Sequence, residues 1–332
     1  MTITVVEGAV ALVIMTKAIT EPAFDAGLSL PQIILVVGPT ASGKTALALA
    51  LASHTAGIII SADSRQCYRE MAIGSAAPTA DEMQGIPHYM VADRSVNEHL
   101  SAGQFEQEAL QCIAQGIAQG RQIIVCGGAG LFIQALVEGL DDLGNADPMI
   151  RTYWLQRYRT EGLAALQKEI LLRDPDYAAQ ADMNNRQRLL RALEIMDSRG
   201  QKVSDLRTQS AKNRPFRCCW IGINPERSVL HEAINMRVDH MVKQGLEKEA
   251  AALYPWGLVK ACQSPGYREW EAYWNGSIDH TTCAEQIKQH SRQYARRQLT
   301  WFRRNPDIHW IPPPITKTPA RLEWVIRNLP ID

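Results

Sequence analysis

The stretch Ile33 to Ala50, IILVVGPTASGKTALALA, constrains this chain more than any other. An apolar run enters a glycine-bearing loop and leaves it as an alanine- and leucine-rich helix. Gly38, Gly43, Lys44 and Thr45 satisfy the G-x4-G-K-[S/T] spacing of a phosphate-cradling loop. That spacing has a physical basis. Successive backbone N–H groups and a helix N-terminus form an anion site, Lys44 supplies a point charge, and Thr45 supplies a hydroxyl suited to Mg²⁺. Such a loop is by default an ATP-binding element. The sequence therefore points to phosphate binding and leaves open whose phosphate it is.

The surrounding pattern places the loop in an α/β fold, a P-loop-containing parallel sheet flanked by helices. Ile33 to Val37 lacks alternation, as expected of a strand buried on both faces. Gly57 to Ser61 (GIIIS) predicts a second such strand, closed by Ala62-Asp63-Ser64. Ser101 to Gln119 predicts a helix with Ser101 as N-cap, and Gln122 to Cys126 a third strand running into Gly127-Gly128. Ligands of such sheets sit beyond the carboxyl ends of the strands, so the loop, Asp63 and Gly127-Gly128 are expected to face one crevice.

Between Asp147 and Arg207 no strand-like run occurs, helical spacing recurs, and Pro148 and Pro175 mark helix starts or breaks. Arg217 to Ile223 (RCCWIGI) returns to the sheet, and His231 to Leu253 reads as one helix. Cys283 to Arg304 reads as a long helix, and Ile308 to Ile311 as an edge strand before a Pro-rich tail. The expected division is a flexible N-terminal extension (1–30), a P-loop catalytic core (31–146 and 208–332) and a helical insertion domain (147–207).

Composition narrows the setting. The formal net charge is zero, so any polyanion partner must be held by a local cluster. The seven cysteines form no C-x-x-C pair and no zinc spacing, as in a reducing compartment. The apolar run Ala9 to Met15 is too short to span a bilayer and lacks a basic n-region. A cytoplasmic protein without membrane attachment is expected.

A nucleotide-hydrolysing motor needs an acidic residue at the end of an apolar strand to hold Mg²⁺. The third strand ends instead in Cys126-Gly127-Gly128, which leaves enzymes that grip a phosphorylated small substrate. Asp63 has two readings here, a local Asx turn or helix N-cap, or a general base across from the phosphate. Near the C-terminus Lys288, Arg292, Arg296, Arg297, Arg303 and Arg304 interleave with Tyr294, Trp301 and Phe302. This is either a solvated helix face or a phosphate-backbone track with stacking rings. Arg186, Arg188 and Arg191 could add a second basic surface.

With these residues in place, the chain resembles the tRNA dimethylallyltransferases of bacterial type. GPTASGKT, SADSRQCY, the glycines at 127–128, QRLLRALE, PGYRE (265–269) and ARRQLTWFRR occur in that family's order and spacing, from about Ile33 to Ile311. The resemblance implies transfer of a five-carbon prenyl group from dimethylallyl diphosphate to N6 of the adenosine 3′ of the anticodon. Gly38, Pro39, Thr40, Ala41, Ser42, Gly43, Lys44 and Thr45 would hold the diphosphate, with Mg²⁺ at Thr45. Asp63 would accept the amine proton, and Arg237 would stabilise the departing diphosphate.

The resemblance also assigns the tRNA contacts. These are Asp63, Ser64, Arg65 and Gln66; Ala129 and Arg151; Gln187, Arg188, Leu189, Leu190 and Arg191; Tyr267 and Arg268; and Arg296, Arg297, Gln298, Trp301 and Arg303. The target base would be flipped into the crevice, the insertion would clamp the anticodon stem-loop, and a monomer is expected.

The chain departs from the family pattern at a few places. Ala129 stands where a substrate-contacting threonine is usual, and Phe132 where tyrosine is common. Ser75 and Ala77 fall in a segment that usually reads Gly-Thr-Ala-Lys-Pro, and Asn185-Arg186 replaces Asn/Asp-Pro. An active but slower enzyme is expected. The competing readings are a small-metabolite kinase using the loop for ATP, and a tRNA-binding protein that has lost catalysis.

Overall fold

The computed structural model describes residues 30–141, 143, 147–207, 211–254 and 260–331. The extension expected over 1–30 therefore lies, apart from Leu30, outside the described residues. β1 (Gln32–Val37) occupies an interior position of the sheet, where it hydrogen-bonds in parallel to β4 (Ile123–Gly127) on one side and β5 (Arg217–Ile223) on the other. β2 (Ile58–Ser61), β3 (His88–Tyr89) and β6 (His309–Ile311) complete a six-stranded parallel sheet ordered β3-β2-β4-β1-β5-β6.

Both faces of this sheet are covered, which explains the unbroken apolar runs in its sequence. Ile33, Leu35 and Val37 join one buried cluster with Phe105, Ile113, Phe132 and Leu136. Ile34 and Val36 join a second with Leu47, Leu51, Ile221 and Val325. The helix Lys44–His54 lies on the second face beside the helix Thr318–Asn328, while Ala102–Ala118 and Gly130–Glu138 cover the first. Ser101 is the N-cap of Ala102–Ala118, as expected, and the structure adds a reciprocal box with Gln104.

Three elements differ from the sequence reading. β3 is only two residues long, too short to leave a pattern. The stretch 231–253 is two helices, Arg227–Gln244 and Leu246–Leu253, parted at Gly245, whose φ of 101° stops the first. The Pro-rich tail contains the helix Thr318–Asn328, where Pro319 falls in the first turn and lacks only an N–H that would be unpaired there.

Residues 147–207 contain helices and no strand among the described residues. Trp154, Leu166, Ile170, Leu189, Leu193 and Ile195 pack into a buried cluster of their own, separate from those against the sheet.

Candidate active site

The loop after β1 is built against three other elements. Ala41 takes a left-handed φ of 60° and rests on a small apolar group of Leu230, Ile234 and Ala295. A non-glycine residue costs about 1 kcal/mol or more in that conformation, so the packing beneath it holds the strain in place. Gly43, at φ 86°, turns the chain into the helix Lys44–His54. Lys44 Nζ folds back to donate to the Pro39 carbonyl at 2.6 Å. Ser42 is buried, and its Oγ has no hydrogen-bond partner. A buried orphan hydroxyl inside a loop of this kind fits a bound phosphate oxygen.

β2 and β4 bring the second wall. Ser61 pairs with Cys126, the Ala62 N–H donates to the Cys126 carbonyl at 2.8 Å, and the Ala129 N–H donates to the Ala62 carbonyl at 3.1 Å. This clamps Gly127-Gly128 against Ala62-Asp63, and a Cβ on Gly127 would collide with the Ala62 backbone. Asp63 Oδ1 accepts from the Arg65 N–H at 2.9 Å. The Asx turn is therefore real; it engages one carboxylate oxygen and so orients the group rather than excluding it from chemistry.

The charged groups around the loop act on one another. Burial pushes Lys44 down to about 8; Cys126 and Asp63 oppose this, and Arg237 adds to it. Burial likewise lowers Arg237, again opposed by Asp63. Tyr294 is pushed up to about 12, first by burial and then by Asp63. Arg237 comes from the helix Arg227–Gln244 and donates to the Ser75 carbonyl at 3.1 Å. The structure thus gathers Lys44, Asp63 and Arg237, drawn from three separate segments, into one electrostatic neighbourhood. No group of three His, Cys, Asp or Glu side chains among the described residues could hold a metal ion. Thr45, exposed on the first turn of the helix, carries the hydroxyl expected at Mg²⁺.

The remaining sequence candidates divide by exposure. Arg151, Gln187, Arg188, Arg268, Arg296, Arg297 and Arg303 are exposed, and Ala129, Arg191 and Trp301 partly so. Arg296, Arg297, Thr300, Trp301 and Arg304 line a cavity of about 260 Å³ on the helix His280–Phe302. Lys288 and Arg292 of the same helix are drawn away from that face. Lys288 pairs with Asp239 at 2.8 Å, and Arg292 donates to Asn235 at 2.5 Å.

Other candidates point inward. Leu189 and Leu190 sit in the core of the helical segment. Gln66 accepts from Ser61 Oγ at 2.9 Å and donates to the Ala76 carbonyl at 3.1 Å. Arg65 Nη1 donates to both oxygens of Ser64, at 2.9 and 3.0 Å. Tyr267 is buried with its hydroxyl donating to Glu249 at 2.7 Å, and both effects raise its pKa. Glu249 also accepts from the N–H groups of Ile73 and Gly74 at 2.8 and 2.9 Å. It thereby fixes the turn whose Ser75 carbonyl meets Arg237.

Gln298 is the clearest reassignment. Its Oε1 accepts from the Thr40 N–H at 2.8 Å, and its Nε2 donates to the Gly128 carbonyl at 3.0 Å. One buried amide thus ties the phosphate loop to the turn after β4. Of its two neighbours on the helix, Arg297 is exposed and Leu299 partly buried, and no spacing rule singled Gln298 out as the inward residue.

Several departures from the family pattern have local consequences. Phe132 is buried and stacks on Phe105 with ring centroids 4.5 Å apart. Asn185 caps Arg186–Arg199 by accepting from the Arg188 N–H. Ala129 precedes Gly130–Glu138 at the cap position and offers no side-chain cap.

The sequence matches the model of the IPP transferase family over residues 66–305. It is 39% identical over 284 residues to tRNA dimethylallyltransferase 1 of Bacteroides thetaiotaomicron, covering 86% of this chain and 92% of that protein. It is 41% identical over 283 residues to tRNA dimethylallyltransferase 2 of Porphyromonas gingivalis, covering 85% and 94%. Among solved structures, a tRNA delta(2)-isopentenylpyrophosphate transferase of Staphylococcus epidermidis superposes with a TM-score of 0.65 at 33% identity, covering 90% of this chain and 98% of that one. A eukaryotic dimethylallyltransferase acting on tRNA shares the fold, with a TM-score of 0.72 at 24% identity over 91% of this chain and 81% of that one.

Proposed function

The chain belongs to the IPP transferase family, and on that premise we propose that it is a tRNA dimethylallyltransferase acting on N6 of the adenosine 3′ of the anticodon. The observation that carries the mechanism is the meeting of Lys44, Arg237 and Asp63 at the carboxyl edge of the sheet. Two cations and an anion that act on one another's charge suit a reaction that expels a diphosphate and removes a proton.

The loop from Gly38 to Thr45 grips the diphosphate of dimethylallyl diphosphate. The N6 amine attacks C1 of the prenyl chain, the C1–O bond breaks, and the electron pair leaves with the diphosphate. Lys44 and Arg237 stabilise the negative charge that grows on it. The N6 proton passes to Asp63 Oδ2, the carboxylate oxygen outside the Asx turn. An adenine amine is a poor nucleophile because its lone pair is delocalised, so an oriented acceptor matters. Thr45 would hold Mg²⁺, which would supply further charge neutralisation. ATP is not the ligand in this reading, since the nucleotide is the acceptor.

The exposed arginines of His280–Phe302 and the helical segment 147–207 hold the anticodon stem-loop, with Trp301 available for stacking. No helix among the described residues is long and apolar enough to cross a membrane. The protein works as a monomer in the cytoplasm. Labelled dimethylallyl diphosphate and undermodified tRNA test the proposal. Label should enter tRNA with an A-rich anticodon loop, and Asp63→Ala should abolish transfer while tRNA affinity stays within about twofold. No label from folded protein would overturn the reaction, and normal turnover by Asp63→Ala would remove it as the base.

A further inference from the structure

Arg321 lies 279 positions beyond Ser42 in the chain, yet its Nη1 donates to the Ser42 carbonyl at 2.8 Å. Its Nε donates to the Ile315 carbonyl at 3.0 Å. The residue is 6% exposed, and no carboxylate among the described residues pairs with it. A buried cation satisfied only by neutral carbonyls is costly to maintain, and a nearby anion would offset that cost. The anion site is adjacent: a Cβ on Gly43 would stand 2.6 Å from Nη1, and the orphan Ser42 Oγ lies inside the same loop. Burial also lowers the pKa of the guanidinium.

The geometry points to Arg321 as a positioning residue for the diphosphate cradle. The Ser42–Gly43 peptide is trans, so its C=O and N–H point in opposite directions. By holding the carbonyl on the outer side of the loop, Arg321 turns the Gly43 N–H toward the diphosphate, and its charge backs the cradle without touching the ligand. The helix that carries it, Thr318–Asn328, lies outside the matched family region and is anchored on the sheet by Val325. This inference rests on the reading of the loop as the diphosphate site.

Calorimetry with inorganic pyrophosphate, together with steady-state kinetics, separates the two. Wild type should bind pyrophosphate, and Lys44→Ala should not. Arg321→Met should bind it roughly ten- to a hundredfold more weakly, the range for losing a hydrogen bond from a charged group. KM for dimethylallyl diphosphate should rise in step, with kcat and tRNA affinity within about twofold. Arg321→Lys, which keeps the charge but not the fork, should fall between the two, and it carries the test if the methionine variant does not fold. Val325→Ala should lower the melting temperature and leave pyrophosphate affinity unchanged. Wild-type affinity in folded Arg321→Met, or equal weakening by Val325→Ala, would overturn the assignment. Failure of wild type to bind, or normal binding by Lys44→Ala, would overturn the loop reading and this inference with it.

Discussion

Lys44 is held between opposing influences. Burial, reinforced by Arg237, brings its pKa from the usual 10.5 to about 8, while a bound diphosphate favours the ammonium form. In the free protein the charge is therefore lost as pH rises through about 8. We expect kcat/KM for dimethylallyl diphosphate to fall above that pH, by up to about tenfold per unit, and Lys44→Arg to abolish the fall whatever it does to the absolute rate. Stability moves the other way. Between about 8 and 10.5 the unfolded chain still binds a proton that the folded chain has released, so the penalty for burying Lys44 shrinks as pH rises. Residue identity was legible at this scale: Gly38, Gly43, Lys44 and Thr45 could be named from spacing, and Asp63 from its place at the end of a strand. The company that each keeps was not, because an Asx turn and a poised carboxylate call for the same residue.

The helix His280–Phe302 presents two chemically different faces. Cys283, Ile287, Ala295, Gln298 and Phe302 are buried, whereas Arg296, Arg297 and Arg303 face outward. Arg296→Ala and Arg297→Ala should each weaken tRNA binding across sequences and reduce the salt slope of log K by roughly 0.7 to 1. Filter binding at several ionic strengths measures this, and turnover at saturating tRNA should hold. Gln298→Leu should behave differently. It strands the Thr40 N–H and the Gly128 carbonyl, at about 1–3 kcal/mol each, so it should lower the denaturation midpoint with the salt slope unchanged. A salt effect from Gln298→Leu equal to that of the arginines would place its amide at the RNA. The interleaving of basic and aromatic residues announced this helix, but its rotation about its axis was hidden. Lys288 and Arg292 looked like members of the basic track and are instead spent on the helix Arg227–Gln244.

At the scale of the whole molecule, the helical segment carries a core distinct from the clusters that cover the sheet. Leu193, fully buried there, should cost about 2–5 kcal/mol when replaced by alanine. Hydrogen exchange should show lost protection over residues 148–206 while β1 and β4 amides keep theirs; uniform loss across the sheet would show that the segment is not an independent unit. The parallel sheet itself could be foreseen, because strands buried on both faces cannot alternate. The short β3 and the helix of the C-terminal tail could not, since one has two residues and the other sits among prolines that favour a loop reading.

Local chemistry decided what the sequence could determine alone. A glycine pattern that only a phosphate loop needs, apolar runs that only a doubly covered sheet accommodates, and the ordered blocks shared with one enzyme family all lie within short windows of chain. The tertiary structure decided which side chains face the reaction. Helical periodicity shows which residues share a face, but only the packed neighbours decide which face turns inward. Gln298, Tyr267, Leu189 and Leu190, which the resemblance assigned to tRNA contacts, are therefore buried. The same long-range packing brought Arg321 to the back of the loop on which the sequence analysis began.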